Sequence, residues 1–530
     1  MCEWVETSAR RYPDKAAIVF YGARISYRRF KREMEQVAGA LSALGVQKGD
    51  RVALYMQNCP QYVIAYFGIL RANAVVVPLN PMLLENELEY MLNDCGAKVV
   101  FSGQELGSRV LAVKGRTPLQ TVVSATYSEY LDPEPEITPP DFVAAPRQEI
   151  SGATPWRDFL AGAPGAAELV VGPDDRAVLP YTSGSTGVPK GCVHTHASVT
   201  ANAVGSVYWL GLAPSAVHLT VLPLFHATGM QHSMNAPVFL GATMVLLSRW
   251  DRDAAAQCIQ QYKCSHWVNI STMVVDFLAN PNLGRYDLSS LVMVGGGGAP
   301  LPEAVGERLY QVTGLRYVEG YGLSETISQT HFNPPDRPKL QCLGVPVPDL
   351  DCKVIDLETM TALGPGQEGE LVVRGPQVMR EYWHKPQDTE EAFITINDQK
   401  YFKTGDIVRY DEEGYFFIVD RSKRMINAAG FKVWPTEVEG YLYKHPAVQE
   451  ACVVATPDPK RGENVKAFIV LRPEYQGKVT AEEIIAWSKD KMATYKYPRL
   501  VEFIDALPKS GTGKILWKEL QDRERARVGP

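Results

Sequence analysis

The sequence predicts an α/β protein. A large N-terminal domain, residues 1–420, holds two doubly wound α/β regions plus a small antiparallel β-barrel or sheet, and a small α+β C-terminal domain fills residues 421–530. Three observations predict it. Strand-like and helix-like stretches alternate through the first hundred residues and again from about 169 to 323. Short strands with Gly-rich turns dominate 351–417. The charged cluster Asp420-Arg421-Ser422-Lys423-Arg424 then precedes a short α/β unit. A chain of 530 residues also exceeds one ordinary core and should divide.

Each element follows from its pattern. Residues 27–44 carry apolar side chains at helical spacing, 51–55 read as a strand, and 61–71 are helical again. Residues 74–79 form a buried strand, 85–95 a helix and 98–101 a strand. Such alternation places a mostly parallel sheet between helices. Residues 117–155 break the pattern with prolines, acids and weak periodicity, which predicts a long surface excursion. The barrel region turns at Gly364-Pro365-Gly366 and Asp411-Glu412-Glu413-Gly414. Beyond it, strands are expected at 450–456 and 465–471, and helices at 435–443 and 481–491.

Composition excludes several classes. A net charge of −6 offers no basic footprint for nucleic acid and no polybasic membrane patch. No apolar run reaches the roughly 18–20 residues that span a bilayer. The nearest, 62–80, is broken by Arg71 and Asn73. Residues 1–6 are acidic and helix-like, unlike a signal peptide. Nine cysteines without a Cys-x-x-Cys pair fit reduced thiols in a cytoplasm.

The most informative stretch is Tyr181-Thr182-Ser183-Gly184-Ser185-Thr186-Gly187-Val188-Pro189-Lys190-Gly191. Glycines let backbone N–H groups approach a phosphate, hydroxyls add donors, and the lysine adds charge. A Walker P-loop is excluded, because Gly187 is followed by Val188-Pro189-Lys190 and not by Lys-Ser/Thr. Ser510-Gly511-Thr512-Gly513-Lys514-Ile515 fails too, with Pro508 and Ile515 at the wrong places. A lone Gly/Ser-rich loop is often a linker, but this one is too patterned.

Six further motifs stand downstream. They are Pro223-Leu224-Phe225-His226, then Gly295-Gly296-Gly297-Gly298-Ala299-Pro300, then Glu319-Gly320-Tyr321-Gly322-Leu323-Ser324-Glu325-Thr326. They continue with Lys403-Thr404-Gly405-Asp406, then Ala429-Gly430-Phe431-Lys432-Val433-Trp434, and close on Pro508 to Lys514. Taken singly, each has a plain reading: a core histidine, a strand-to-helix turn, a capped turn, a solvated basic tail. His194 and His196 form His-x-His without carboxylate or cysteine support and read as structural. Together, and in this order, the motifs closely resemble those of the adenylate-forming superfamily: acyl- and aryl-CoA synthetases, peptide-synthetase adenylation domains and beetle luciferases. The resemblance covers most of the chain and extends to long-chain fatty-acid–CoA ligases.

The resemblance implies ATP, Mg2+ and coenzyme A as cofactors and co-substrates, with a small carboxylic acid as substrate. It implies that Thr182, Ser183, Gly184, Ser185, Thr186, Gly187 and Lys190 cradle the phosphates. Gly297, Gly298, Ala299, Glu319, Gly320, Tyr321 and Gly322 would border the adenine, Ser324 the α-phosphate, and Asp406 and Arg421 the ribose. Magnesium would fall to Thr182 and Glu325, since it favours oxygen ligands. Lys514 would be the catalytic lysine, with His226 and Glu325 also at the chemistry. The small domain would swing about Lys423, taking Lys514 away and bringing Gly430, Phe431 and Lys432 to the CoA path. The acyl pocket would involve His226, Met230, Met234, Gly295 and Gly296.

The implied reaction is adenylation of an acid followed by thioester formation, on a medium- or long-chain fatty acid. An aryl acid of benzoate or cinnamate type is the alternative, as is loading of an acyl carrier protein. A nucleotide-binding protein without catalysis is disfavoured by the intact Glu325, Asp406, Arg421 and Lys514. A homodimer is left open.

Overall fold

The computed structural model describes residues 1–182, 188–428, 431–458, 462–509 and 515–528. By its internal contacts the chain forms two compact units. One comprises Met1–Cys352 and Val373–Phe402, and the other Lys353–Val372 and Lys403–Pro530.

The first unit contains the two expected wound sheets. One is seven-stranded, and its central strands Val75–Pro78, Arg51–Tyr55, Val99–Gly103 and Thr121–Ala125 run parallel. The other is nine-stranded, with Thr243–Leu246, Val217–Thr220, His266–Asn269, Met293–Gly297 and Val318–Leu323 parallel at its centre. Its antiparallel margins are Ala23–Ser26 on one side and Ser328–Phe332 on the other.

Two features depart from the reading by chain order. The hairpin Ala16–Phe20 and Ala23–Ser26 joins the nine-stranded sheet through Thr243–Leu246, although its sequence neighbours build the other sheet. Residues 117–155 are not simply a surface excursion either. Thr121–Ala125 is a strand with Val122 and Val123 buried, and Tyr127, Tyr130, Ile137 and Val143 are anchored inside. Prolines obscure that periodicity, while the anchors sit too far apart to form one.

Helix Tyr27–Ala43 begins at Ser26, whose hydroxyl accepts from Arg29 N at 3.2 Å. Its buried face, Tyr27, Phe30, Met34, Val37 and Leu41, packs on helix Pro60–Arg71. The latter is buried from Pro60 through Leu70. Apart from Gln61 and the terminal Arg71 it is largely apolar on every side, as helices in a protein interior are. Among the described residues no helix is long and apolar enough to cross a membrane.

Asp351–Ile355, Gly369–Arg374 and Gln399–Tyr410 are successive neighbours in a third sheet, with Phe416–Arg421 pairing antiparallel to the last. The C-terminal residues build a sheet on the long antiparallel pair Val448–Asp458 and Gly462–Leu471. Helices Pro435–Leu442 and Ala481–Lys489 fall where the sequence places them.

The nine-stranded sheet depends on close backbone approach at its site end. A Cβ on Gly296 would lie 1.8 Å from Asn269 O and 2.8 Å from Asn269 C, both on the adjoining strand. Gly296→Ala is therefore expected to destabilise this unit by about 1–3 kcal/mol, the cost of overpacking. Calorimetry should show a lowered unfolding midpoint, and an unchanged midpoint would contradict the strand spacing.

Candidate functional site

In the first unit the loop of residues 181–191 closes on a short antiparallel pair, with Thr182 opposite Lys190 and Tyr181 opposite Gly191. Ser183, Gly184, Ser185, Thr186 and Gly187 lie outside the described residues. Tyr181 donates to Asp94 Oδ2 at 2.6 Å, and Tyr90 donates to Pro189 O at 3.0 Å, so both ends of the loop are tied to helix Glu85–Cys95. The Lys190 ammonium pairs with Asp388 and lies over the Tyr382 ring, 5.3 Å from its centroid.

Tyr382 links this lysine to the second motif. Its hydroxyl donates to Glu325 Oε1 at 2.8 Å, and burial raises its pKa far above the ordinary phenol value, so it stays a donor. Met379 N donates to Glu325 O at 2.7 Å. Ser324 is held from behind by His194, whose Nε2 lies 2.7 Å from Ser324 O. A carbonyl only accepts, so Nε2 carries the proton. Burial lowers the His194 pKa to about 4, which keeps the ring neutral near pH 7. His194 thus has a structural task, but at the centre of the motif. His196 is buried at the start of helix His196–Trp209.

Tyr321 stands on strand Val318–Leu323 opposite His331, with ring centroids 6.1 Å apart. The neighbouring glycines have a different reason from the open space that a base or substrate tail needs. Added Cβ atoms at Gly295, Gly297, Gly320 and Gly322 would meet Val318 O at 2.4 Å, Gly320 O at 2.3 Å, the Phe332 ring at 2.7 Å and Ser328 O at 1.7 Å. Strand packing demands them. Gly298 alone of the four-glycine run combines exposure, φ of +89° and open space, with Ala299 exposed beside it.

His226 is exposed after strand Val217–Thr220, its Nδ1 accepting from Thr228 N at 3.4 Å. Met230 and Met234 are fully buried on the π-helical segment Gly229–Asn235 and belong to the main apolar core. The same segment buries Gln231, His232 and Asn235.

In the second unit Asp406 is buried opposite Arg421, with Arg421 Nε 3.0 Å from Asp406 Oδ1. Lys423 is exposed in the turn Ser422–Arg424. Phe431 is exposed and stacks on Tyr495 at 4.7 Å, while Lys432 pairs with Glu358 at 3.1 Å. Gly430 and Lys514 lie outside the described residues.

The structure thus gathers Thr182, Lys190, Ser324 and Glu325 through Tyr382 and Asp388, and separately joins Asp406 to Arg421. Tyr382 and Asp388 were missed by sequence reasoning. They stand far from their partners along the chain, and no local pattern marks them. The donors fit magnesium: a hydroxyl and one carboxylate leave coordination to phosphate oxygens, as that ion prefers. Among the described residues no group of three or more His, Cys, Asp or Glu could hold a metal by itself.

Residues 5–383 match the family described as AMP-binding enzyme, and residues 437–514 match the AMP-binding enzyme C-terminal domain. The chain belongs to the AMP-binding enzyme family. It is 37% identical to a long-chain-fatty-acid–CoA ligase of Bacillus subtilis (strain 168), over 98% of this chain and 93% of that one. It is 34% identical to a feruloyl-CoA synthase of an Amycolatopsis species, over 98% of each chain. The crystal structure of an anthranilate CoA ligase in complex with anthranoyl-AMP matches with a TM-score of 0.84 at 29% identity, covering 99% of this chain and 97% of that one. This member of the family is an acid–CoA ligase whose substrates are a carboxylic acid, ATP and coenzyme A.

Glu319 has a measurable signature. It is buried, accepts from Gln341 N at 2.9 Å and Leu301 N at 3.3 Å, and burial raises its pKa from 4.5 to about 7. Between those values the folded chain keeps a proton that the unfolded chain releases. The stability contribution is therefore full below pH 4.5 and declines as pH rises to about 7. Relative to the native protein, Glu319→Gln should gain stability between pH 5 and pH 8, by at most about 3 kcal/mol. Thermal unfolding across that range checks it, and a pH-independent difference would refute it.

Proposed function

We propose that this ligase activates a medium- or long-chain fatty acid in two steps. The carboxylate attacks the α-phosphate of ATP, giving acyl-adenylate and pyrophosphate, and the CoA thiol then displaces AMP. The observation that carries the reading is the Glu325 carboxylate, which accepts from the Tyr382 hydroxyl while Met379 N holds the Glu325 backbone carbonyl, in the unit that also holds Lys190. The AMP leaving group does the activating, so no covalent enzyme nucleophile is required.

Thr182, Ser183, Thr186 and Lys190 hold the β- and γ-phosphates, Tyr321 stacks on adenine, and Ser324 holds the α-phosphate. Asp406 and Arg421 receive the ribose hydroxyls. Glu325 and Thr182 hold magnesium, which neutralises charge on the phosphates. Lys514 stabilises the charge that builds as pyrophosphate leaves, because a mobile point charge suits that task. His226 flanks the acyl carboxylate in the first step and the CoA thiol path in the second; between them residues 421–530 turn about Lys423, and Gly430, Phe431 and Lys432 come to border the CoA path. Nine cysteines without a Cys-x-x-Cys pair support a reducing cytoplasmic setting.

The fatty acid is supported by the 37% identical long-chain relative and by segments 222–239, 293–298 and 318–326, which carry no lysine or arginine to meet a second carboxylate. An aryl acid is the second reading. The feruloyl-CoA synthase and anthranilate ligase relatives favour it, as do Gln231, His232 and Asn235 beside Met230 and Met234.

Two experiments test these statements. Lys514→Ala should lower acid-dependent ATP–pyrophosphate exchange by at least about 100-fold and leave the reaction of supplied acyl-adenylate with CoA intact. Equal loss of both would exclude the assigned role. A panel of acids scored for CoA-dependent AMP release should peak at medium or long aliphatic chains. A peak at benzoates or cinnamates would replace the first reading by the second, and release with a holo-carrier protein but not free CoA would replace both.

A further inference from the structure

The helix Trp517–Val528 follows Lys514 closely, and buried polar groups fasten it to the sheet. Lys466, on strand Gly462–Leu471, has 8% of its side chain exposed. Its Nζ lies 2.7 Å from Glu524 Oε1 on the helix and 2.8 Å from Glu502 Oε2 on strand Leu500–Phe503. The Glu524 side chain is only 4% exposed. Arg527 closes the network, 3.2 Å from Glu524 and 2.7 Å from Glu502. One turn earlier the buried Gln521 amide donates to Ala455 O at 2.8 Å and accepts from Ala455 N at 2.9 Å, as a strand partner would.

Stability alone does not explain these groups. Removing charges from water costs more than their pairing commonly returns, and apolar replacements of buried pairs are often neutral or stabilising. The best-attested use of such groups is to set register. Gln521 and Glu524 lie three apart and share a helix face. That face also carries Leu520, which packs in a cluster with Cys452, Val454, Phe468, Val470 and Leu507. Apolar contact alone lets a helix slide or roll, whereas two directional clamps oppose both motions. On the other side of Lys514, Lys509 and Ile515 form an antiparallel bridge, and Leu516 N donates to Pro508 O at 2.8 Å. The chain entering and the chain leaving the Lys514 segment are thus tied together.

We propose that Lys466, with Glu524 and Gln521, is a positioning residue for Lys514 in the adenylation step. The proposal rests on the catalytic reading of Lys514. Lys466 acts through the helix and touches no substrate. Misplacing a reacting group by about 1 Å can cost about 100-fold in rate, and the thioester step does not use the lysine.

The test uses the full chain with the double substitution Lys466→Met and Glu524→Met, beside Lys466→Arg and Lys514→Ala. The double variant should unfold at or above the native temperature. It should lose about 10- to 100-fold in pyrophosphate exchange while converting supplied acyl-adenylate to acyl-CoA within about twofold of native. Lys466→Arg, which keeps the charge, should retain more exchange. If the double variant does not fold, Gln521→Leu is read by the same two half-reactions. Native exchange in a folded variant, or equal loss of both half-reactions, would overturn the proposal. Should Lys514→Ala keep its exchange, the catalytic reading itself falls. Should it lose exchange while the folded double variant does not, only the positioning role falls.

Discussion

The reversal of the chain just after Glu325 is the constraint on which the first unit's site depends. Ile327 has φ of 45° and Ser328 φ of 119°, values that L-residues rarely adopt and a β-branched residue least of all. Each such residue costs about 1–3 kcal/mol and persists only where its surroundings over-determine it. They do so here. The Thr326 hydroxyl accepts from Leu323 N at 3.0 Å and donates to Ser328 O at 2.7 Å, Ile327 is fully buried in the core, and Asn202 Nδ2 donates to Gln329 O at 3.0 Å. Because the turn is this tight, the two strands it joins leave no room for a Cβ at Gly322. Ser324 and Glu325 are therefore presented by a strained but rigid corner, and His194 and Met379 brace its carbonyls.

That corner also separates what could be read in the sequence from what could not. Patterns that are local along the chain were legible. The Thr182-to-Lys190 loop, the Tyr321-Ser324-Glu325 triplet and the Lys403-to-Asp406 stretch each place several polar and charged types within a few residues, and strand–helix alternation revealed both wound sheets. Long-range partners were not legible. Tyr382 reaches Glu325, and Asp388 reaches Lys190, through the tertiary fold alone, and neither residue type is unusual where it stands. The glycines of 295–297 were legible as a motif, but not for their reason, because crowding by an adjacent strand leaves no trace in one chain's composition. His194 was read as structural, which is correct in kind, while its bond to Ser324 O awaited the fold.

The second unit manages its polar groups differently. Arg424 follows Lys423 directly and is buried against Glu439, and it also donates to Val453 O at 3.2 Å. Asp420 Oδ2 accepts from Thr436 N at 2.7 Å, at the first turn of helix Pro435–Leu442, where an acceptor satisfies an otherwise unpaired donor. These ties hold Asp420 just before the turn Ser422–Arg424 and Arg424 at its end. A segment proposed to act as a pivot gains from such ties, since the elements beside it stay rigid and confine the change in backbone angles to few residues.

Electrostatic contacts then relate Lys190 to Glu325 within the first unit. Lys190 pairs with Asp388 and lies on the Tyr382 ring, and the same tyrosine holds Glu325. A phosphate drawn to Lys190 must compete with a carboxylate that already satisfies it. The net gain from binding is smaller than a bare ammonium would supply, because one anion replaces another. In exchange, Lys190 is fixed in place beforehand, with its side chain only 11% exposed, so little rotamer entropy remains to be lost when phosphate arrives. Tyr382 thus contacts Lys190 through its ring face and Glu325 through its hydroxyl, so one side chain packs against both.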